Sequence, residues 1–348
     1  MLKPPPCVHI AATSLLTPLG NTPECILVAI KAGVSAYAAS AYSNHAGQPM
    51  TITQVPEDAL EPLTGELKGA RLASRVLRLA RLALPPLKQV MKSYTGNHPI
   101  PLFLVGPEIL PNRAQPVSSH LIHCLLQDES LLISRAKCRY FASGRTGLLE
   151  AIDLAFQCFE QTNEHAILVG AVDSYIDAAT LTQLDQEGRI AAGQNCDTFV
   201  PGEGAGFLLL CRPGSAEPAT PSVFRPALGF EPGHKYSDSP MLGQGLDLAF
   251  KQALARLPGV SIDDIYSTMN GESWFAKEFG IAFMRSSNRF TAEVKHHHPI
   301  DALGDMGSAT PVVLLAMAVD NLLKRNTGAS IVYASADTGN RAAVVLAY

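Results

Sequence analysis

Continuous apolar runs alternate with amphipathic segments along the first half of the chain. The runs IPLFLVGPE (residues 100–108) and HAILVGAVDSY (165–175) are bounded by turn-forming residues, which predicts strands buried on both faces. Residues 24–33 show the spacing of an amphipathic helix and end at a glycine. Strands that alternate with helices in this way predict an α/β fold.

The same order of elements recurs in outline after residues 212–222, a segment rich in Pro, Gly, Ala and Ser. That segment has no hydrophobic periodicity and is typical of a linker. Beyond it, helical patterns at 243–257 and 273–285 are separated by a strand-like run, and a long helix precedes two closing strand-like runs. We therefore predict two similar halves, residues 1–212 and 223–348, that form one compact unit.

A long helical pattern at residues 67–94 carries basic residues on one side. Four arginines are spaced three to four residues apart, so they share one face of a helix: Arg71, Arg75, Arg78 and Arg81. Pro85 and Pro86 interrupt the pattern and are expected to limit the helix. The stripe fits either a solvated face or a docking face for an acidic partner.

Composition excludes several classes of function. Of the 348 residues, 47% are hydrophobic and 17% are charged, which allows a large core and argues against disorder. The net charge of −4 and the short basic runs give no basis for nucleic-acid or anionic-membrane binding. The sequence shows no secretory signal and no uninterrupted apolar run of about 18 residues, and its seven cysteines are scattered. We expect a cytoplasmic protein with reduced thiols.

The segment CRYFASGRTGLLEAIDLAF (138–156) has the pattern of a nucleophile elbow: a short strand, a tight turn and an amphipathic helix. Phe141 stands where the strand breaks into the turn, and a phenyl ring cannot act as a nucleophile. Ser143 is a conceivable replacement, but a hydroxyl that stabilises the turn is the interpretation we favour. Cys138 lies on the strand, where a buried structural cysteine is expected.

Four segments together resemble the β-ketoacyl synthases of the thiolase superfamily. Residues 13–33 are similar to that family's first strand, TPLG turn and first helix, and FASG (141–144) lies over its Cys-x-Ser-Gly nucleophile turn. VPGEGAGFLLL (200–210) is similar to its GEGAG turn and following strand, and GDMGSATPVVLLAMA (304–318) to the corresponding turn and helix of the second half. The resemblance covers about residues 8–348.

This resemblance implies a thiolase-like five-layer αβαβα fold made of two similar halves, which usually dimerises through a central sheet. It also implies a chemistry that needs one Cys nucleophile and two His residues. A GEGAG turn could instead suggest a phosphate-binding loop, but here it leads into a strand and lacks the P-loop lysine. We expect Glu203 to accept backbone hydrogen bonds within the turn.

All three catalytic positions depart from the family pattern. Phe141 stands at the position of the Cys, Asn270 in MNGESWFAKE at that of the first His, and Asp305 in LGDMG at that of the second. The loop that reads GFGG in the family reads ADTGN here (336–340). The resemblance therefore implies a protein that keeps the fold but lacks an intact catalytic triad. Phe141 would fill the space of the thiol and close the inner end of the acyl channel.

The resemblance places seven residues around the altered pocket: Phe141, Ser143, Arg145, Asn270, Glu272, Asp305 and Asp337. Paired carboxylates in a cleft can do acid–base chemistry. Alternatively, Arg145 neutralises a carboxylate and hydrogen-bonded polar groups simply fill the pocket. We favour the second interpretation.

Three functions are compatible with these residues. The first is a non-catalytic partner that resembles a chain-length factor, forms a homodimer or a heterodimer with a ketosynthase-like protein, and contacts an acyl carrier protein. The second is an accessory or adaptor protein for a bacterial type VI secretion effector. The third is an acyl-thioester-processing enzyme of altered chemistry, with Asp305 or Glu272 as base. We favour the first.

Neither a cofactor nor a metal is expected. His296, His297 and His298 are consecutive, and neighbouring residues of an extended segment point to opposite faces, so the three cannot easily reach one ion. A solvated or strand-edge run is the simpler interpretation.

Overall fold

Strands and helices alternate in the computed structural model, which describes residues 7–62, 72–111, 117, 120–128, 130–190, 197–214 and 220–348. The strands of the first half are β1 (Cys7–Leu16), β2 (Ala38–Ser43), β3 (Pro49–Ile52), β4 (Leu102–Val105), β5 (Arg139–Phe141), β6 (Ala166–Ser174) and β7 (Glu203–Cys211). Those that follow are β8 (Ser222–Phe224), β9 (Ala227–Phe230), β10 (Ile262–Ser267), β11 (Phe290–His297), β12 (Ala329–Ser335) and β13 (Asn340–Ala347).

Helices connect most of these strands. They are α1 (Pro23–Lys31), α2 (Ser74–Lys92), α3 (His120–Leu125), α4 (Gly147–Gln161), α5 (Ala178–Gln186), α6 (Gln244–Leu254), α7 (Ser273–Arg285), α8 (Ile300–Leu303) and α9 (Thr310–Arg325). Short 3-10 turns, Gly144–Thr146 and Gly307–Ala309, lead directly into α4 and α9. Each turn begins at a glycine with positive φ, a conformation that a residue with a Cβ rarely adopts.

The two halves have the same strand order. It is β5-β4-β6-β7-β1 in the first half and β11-β10-β12-β13-β9 in the second. The first two neighbour pairs of each series are parallel and the last two are antiparallel. Strand β8 pairs with both β1 and β13 and so joins the halves into one hydrogen-bonded sheet. The predicted repeat of two similar halves is confirmed.

Three apolar clusters define five layers. Helices α4 and α9 form the middle layer, packed against strands of both halves. The opposite face of the first-half strands is covered by α2 and α3, and that of the second-half strands by α6 and α7. Adjacent residues of one strand enter different clusters: Leu104 faces α2 and Val105 faces α4. The fold is therefore the predicted αβαβα arrangement. The boundaries 1–212 and 223–348 stay a prediction, and part of the expected linker, 215–219, lies outside the described residues.

The expectation that Pro85 and Pro86 limit the second helix is wrong, because α2 continues through both to Lys92. A proline inside a helix loses one backbone hydrogen bond and strains the preceding turn. Here the neighbouring side chains of Leu82, Leu84 and Leu87 are buried in the core, and this packing offsets the loss. The first part of the predicted helix, with Arg71, lies outside the described residues.

Candidate functional site

Polar residues gather at the carboxyl ends of the parallel strands of both halves. Each of five strands is followed by one of them: Glu108 after β4, Arg145 after β5, Asn270 after β10, Asp305 after β11 and Asp337 after β12. Carboxyl ends of parallel strands share one edge of a sheet, and the two halves bring these edges together. The arrangement is the one from which α/β folds commonly build a site.

Arg145 lies in the turn Gly144–Thr146 that leads into α4. Its Nε donates to Oδ1 of Asp305 over 3.3 Å, and its Nη2 donates to the other oxygen of the same carboxylate. Its Nη1 donates to Oδ1 of Asp337 over 2.8 Å. The guanidinium also lies 5.4 Å from the ring centroid of Phe275. Because the side chain is only 2% exposed, these carboxylates balance its charge in place of water.

Arg189, which follows α5, is a second buried guanidinium. Its Nε and Nη2 donate to the two oxygens of Glu272 over 2.9 and 2.7 Å, a bidentate pair. Its Nη1 donates to Oδ2 of Asp337 over 2.6 Å. Asp337 is therefore shared, with one oxygen on each arginine.

Asn270 and Lys235 complete what we call the ion network, which consists of Arg145, Arg189, Lys235, Asn270, Glu272, Asp305 and Asp337. The Asn270 amide donates to Oδ2 of Asp305 and to Oε2 of Glu272, both over 3.0 Å. Lys235 donates to Oε1 of Glu272. Asn270 thus links Asp305, which binds Arg145, to Glu272, which binds Arg189.

The charges of the ion network balance. Arg145, Arg189 and Lys235 supply three cations, and Glu272, Asp305 and Asp337 supply three carboxylates. Both arginines come from the first half and all three carboxylates from the second, so the network ties the halves together.

Two carboxyls of the network are held as anions. Burial alone would raise the pKa of Asp337, but the guanidiniums of Arg189 and Arg145 hold it well below its usual range. Burial likewise opposes ionisation of Glu272, and the hydrogen bonds and charge of Arg189 nevertheless lower its pKa. These carboxylates are strongly paired acceptors rather than free bases.

Glu108 lies beside the network, and among the residues that the structure describes no cationic side chain forms an ion pair with it. Its oxygens accept from the backbone amides of Asp337 over 3.1 Å and Thr338 over 2.8 Å, and from the Thr338 hydroxyl over 2.5 Å. Burial and the nearby Asp337 carboxylate raise the pKa of Glu108 to about 7. It therefore titrates near neutral pH, as does Asp173, because burial raises the pKa of Asp173 to about 6.

The structure brings together five of the seven residues predicted around the pocket, and all five belong to the ion network: Arg145, Asn270, Glu272, Asp305 and Asp337. Phe141 and Ser143 lie elsewhere. Phe141 lines a groove of about 400 Å³ with Leu154 and Leu228, and the Ser143 hydroxyl donates to Glu150 over 2.7 Å. The roles assigned to these residues by resemblance stay predictions.

Sequence reasoning missed Arg189, Lys235 and Glu108. Glu108 directly follows the apolar run of β4, so the rule that sites form at strand carboxyl ends could have indicated it. Arg189 and Lys235 lie in connecting segments after α5 and β9, and no local pattern marks either of them. Their role depends on long-range packing.

Arginines of the basic face of α2 form ion pairs within the protein. Arg78 donates to both oxygens of the fully buried Glu203 and, over 2.7 Å, to Glu57, with which Arg81 also pairs. Glu203 also accepts from the Ser174 hydroxyl and from the amide of Val55, which lies outside its turn. The expected bonding of Glu203 within the GEGAG turn is therefore wrong, because an arginine of α2 reaches its carboxylate.

Consecutive histidines bind different partners on opposite faces of β11. The Nε2 atom of His296 is 2.9 Å from the Ser267 hydroxyl, and that of His297 is 2.8 Å from Asp264. In the part of the chain that the structure describes, no group of three or more His, Cys, Asp or Glu side chains is placed to hold a metal. Within the same residues, every helix is too short or too polar to cross a membrane.

Comparison by sequence gives no relative: no protein-family model matches the chain, and no curated protein does. Solved structures do match over nearly its whole length. The ishigamide ketosynthase/chain length factor has 17% sequence identity and a TM-score of 0.69, with 98% of this chain and 99% of that chain covered. A ketosynthase in complex with its chain length factor from Xenorhabdus doucetiae has 15% identity and a TM-score of 0.77, with 98% of each chain covered.

A third match is a type II polyketide synthase acyl-carrier protein in complex with its ketosynthase, with 13% identity, a TM-score of 0.74 and 99% of each chain covered. Identities this low establish the fold and not the activity. They agree with the strand order and layers described above. The chain has the thiolase-like fold of ketosynthases and chain length factors.

Proposed function

We propose that this chain is a ketosynthase-like protein without condensing activity. It acts as a binding partner of a ketosynthase-like protein in fatty-acid or polyketide-type synthesis, as a chain length factor does. The observation that carries the proposal is the ion network, because buried and mutually neutralised side chains fill the region where the resemblance places catalytic groups.

Arg145 is central to the loss of chemistry. It lies in the turn that resembles the nucleophile turn, and it binds Asp305, which in turn accepts from Asn270. Asp305 and Asn270 stand at the two histidine positions of the resemblance. A guanidinium remains protonated in proteins, so it cannot take up an acyl group as a cysteine thiol does when it forms a thioester. Whichever residue of the turn corresponds to the Cys, the turn places the Arg145 guanidinium against Asp305, at one of those two positions.

The observed contacts disfavour an enzyme of altered chemistry that uses Asp305 or Glu272 as base. Asp305 accepts from Arg145 and Asn270, and Glu272 accepts from Arg189, Lys235 and Asn270; both carboxylates are only 2–3% exposed. A general base must lie within hydrogen-bond reach of a substrate proton, with a lone pair free to accept it. Breaking two ion-pair contacts for each substrate would cost several kcal/mol, about the size of a buried pair.

An uncovered face beside β5 supports a binding role. Strand β5 is the last in its half of the described sheet and pairs on one side with β4. Next to it, a groove of about 640 Å³ is lined by Phe103, Arg139, Leu154 and Cys158 among others. The groove that contains Phe141 shares Leu154 and Gln157 with it, so both run along α4. An open strand edge beside an apolar groove is suited to pairing with another sheet.

The partner class follows from chemistry and from the similar structures. Structures with this fold include a ketosynthase with its chain length factor and a ketosynthase with an acyl-carrier protein. We therefore propose a homodimer or a heterodimer with a ketosynthase-like protein through the face of β5 and α4, and an acyl carrier protein as a third component.

Co-purification from the native host tests this proposal. The bait is the full chain, and a Gln157→Arg variant places a charge in the shared part of the two grooves without altering the apolar core. We expect the wild-type chain to retain an intact ketosynthase or form a dimer, and the variant to lose most of it. Recovery of a secretion spike protein or a toxin, unaffected by Gln157→Arg, would favour a secretion adaptor instead. A monomer with neither partner would contradict the proposal.

A further inference from the structure

Two grooves meet on helix α4 and extend from it in opposite directions. Leu154 and Gln157 line both of them. The groove that contains Phe141, which we call the Phe141 groove, extends toward the start of α4 at Glu150. The larger one, which we call the Cys158 groove, extends toward the end of α4 at Cys158. A two-fold axis perpendicular to α4 at the shared pair would exchange the two directions.

The outer walls of the two grooves differ in shape. Strands β9 and β13 of the second half border the Phe141 groove, and β4 and β5 of the first half border the Cys158 groove. On β9, Leu228 is 40% exposed and Phe230, two positions along the same strand, is 54% exposed. The Cys158 groove is the larger cavity and has Phe103 and Leu154 in its lining. One end of this face therefore carries projecting apolar side chains, and the other carries a groove able to receive them.

The side of the face next to the Phe141 groove is acidic. Among the described residues, Glu150 accepts from hydroxyl and amide groups and has no cation as a partner. Asp153 and Glu160 share the single cation of Arg225, over 2.6 and 3.0 Å. Three carboxylates and one cation leave a net charge of about −2 on this side.

The side next to the Cys158 groove is basic. Arg139 is exposed on β5 and donates to a backbone carbonyl, and it has no carboxylate partner within the described part of the chain. Lys137 pairs with Glu164, and Arg212 donates to backbone carbonyls at the end of α4. Three cations and one carboxylate leave a net charge of about +2 on this side. The two ends of the face are thus opposite in charge as well as in shape.

We propose that a second copy of this chain covers the face, in a two-fold contact that seats Leu228 and Phe230 of each copy in the Cys158 groove of the other. The two-fold operation brings the acidic side of each copy onto the basic side of the other. It also places the free edge of β5 at the contact. Because one chain carries both parts of the match, a second copy completes the contact at both ends.

This inference rests on the proposed function, which places the partner on β5 and α4, and it narrows that partner to a second copy. The two can fail separately. A purified chain that is monomeric, together with a ketosynthase retained in the native co-purification, would overturn the inference and leave the proposed function standing. A monomer that retains no ketosynthase would contradict both.

Crosslinking between two differently tagged forms of the full chain tests the contact. One form carries Leu228→Cys together with Cys158→Ser, and the other keeps its native Cys158, so a link between positions 228 and 158 must join two copies. The forms are co-expressed and treated with a short bismaleimide, and linked peptides are identified by mass spectrometry. A matched control has Met284→Cys in place of Leu228→Cys, at a side chain that is 76% exposed on α7 in the outer layer. Melting curves confirm that each variant is folded, and sedimentation equilibrium measures the dimer without the crosslinker.

We expect the wild-type chain to be a dimer, the link from position 228 to Cys158 to form, and no link to Cys158 from position 284. Arg139→Glu in both forms should lower the yield of the link about tenfold or more, because it places like charges opposite each other. Lys251→Glu, a charge reversal on α6, should leave the yield unchanged. The inference is overturned by a monomeric chain, by a dimer without this link, or by a link that Arg139→Glu does not weaken.

Discussion

Asp337 lies between two buried arginines, with its Oδ1 2.8 Å from Nη1 of Arg145 and its Oδ2 2.6 Å from Nη1 of Arg189. The carboxylate belongs to the second half of the fold and both guanidiniums to the first. A carboxylate with one cation on each oxygen is fully engaged, which fits a structural junction better than a catalytic base. The stability of the whole unit should therefore depend on this junction.

Removing the central cation should be strongly destabilising. Arg145→Met keeps much of the side-chain volume but leaves Asp305 and Asp337 each short of a cation. We expect the free energy of unfolding to fall by about 3–5 kcal/mol, as for other broken buried pairs. Urea denaturation followed by circular dichroism measures this. Lys251→Met, at a 57% exposed side chain, is the matched control and should change little. Equal losses in both variants would contradict a structural role for the network.

Arg78 binds two carboxylates that differ in burial, so their contributions to stability can be compared on one guanidinium. Glu203 is fully buried, whereas the Glu57 side chain is 65% exposed. We expect Glu203→Gln to lower the free energy of unfolding by about 2–4 kcal/mol and Glu57→Gln by less than about 1 kcal/mol. Chemical denaturation of the two variants under one buffer condition measures the difference. A larger effect of Glu57→Gln would mean that burial does not set the strength of these pairs.

Glu108 should make stability depend on pH. Its pKa is about 7 in the folded chain against an ordinary value of 4.5, so the folded state holds more protons between those values. The resulting stabilisation is complete below about pH 4.5 and is lost as the pH rises through about 7. Glu108→Gln removes this titration, so its unfolding free energy should fall less than that of wild type between pH 5 and pH 8, by about 2 kcal/mol.

The comparison for Glu108 uses the difference between the two pH values within each protein, because the amide also changes the hydrogen bonds to Thr338. Urea titrations at pH 5, 6.5 and 8 supply it. Parallel pH profiles for wild type and Glu108→Gln would show that Glu108 does not titrate in this range.

The fold could be predicted from the sequence because local hydrophobic patterns mark its strands and helices. The run at β4 is apolar throughout and that at β6 is apolar from Ala166 to Val172, since strands in the middle of the sheet are covered on both faces. The helix α7 was predicted at its observed bounds, because a clear apolar pattern is bounded by polar residues. Pro85 and Pro86 predict an interruption that does not occur, since tertiary packing of α2 outweighs their local preference.

Only part of the site could be predicted from the sequence, because some of its contacts join residues that are far apart in the chain. Asn270, Glu272 and Asp305 lie in turns that resemble family motifs, so their positions could be compared one by one. Arg189 is the partner that holds Glu272 and Asp337 as anions. It is remote from both in sequence and lies in no motif. The sequence indicates Arg145 as a neutralising charge for one carboxylate, but its contacts with two carboxylates at once follow only from the three-dimensional arrangement.

Acyl transfer is the measurement that tests the central claim most directly. The purified chain and a Phe141→Cys variant are incubated with acyl and malonyl thioesters, and intact mass and carbon dioxide release are recorded. We predict no acyl adduct and no decarboxylation for either protein, because Arg145, Asn270 and Asp305 stand where the resemblance requires different chemistry. An acyl adduct or turnover on wild type that Asp305→Ala abolishes would contradict the account and identify a working enzyme.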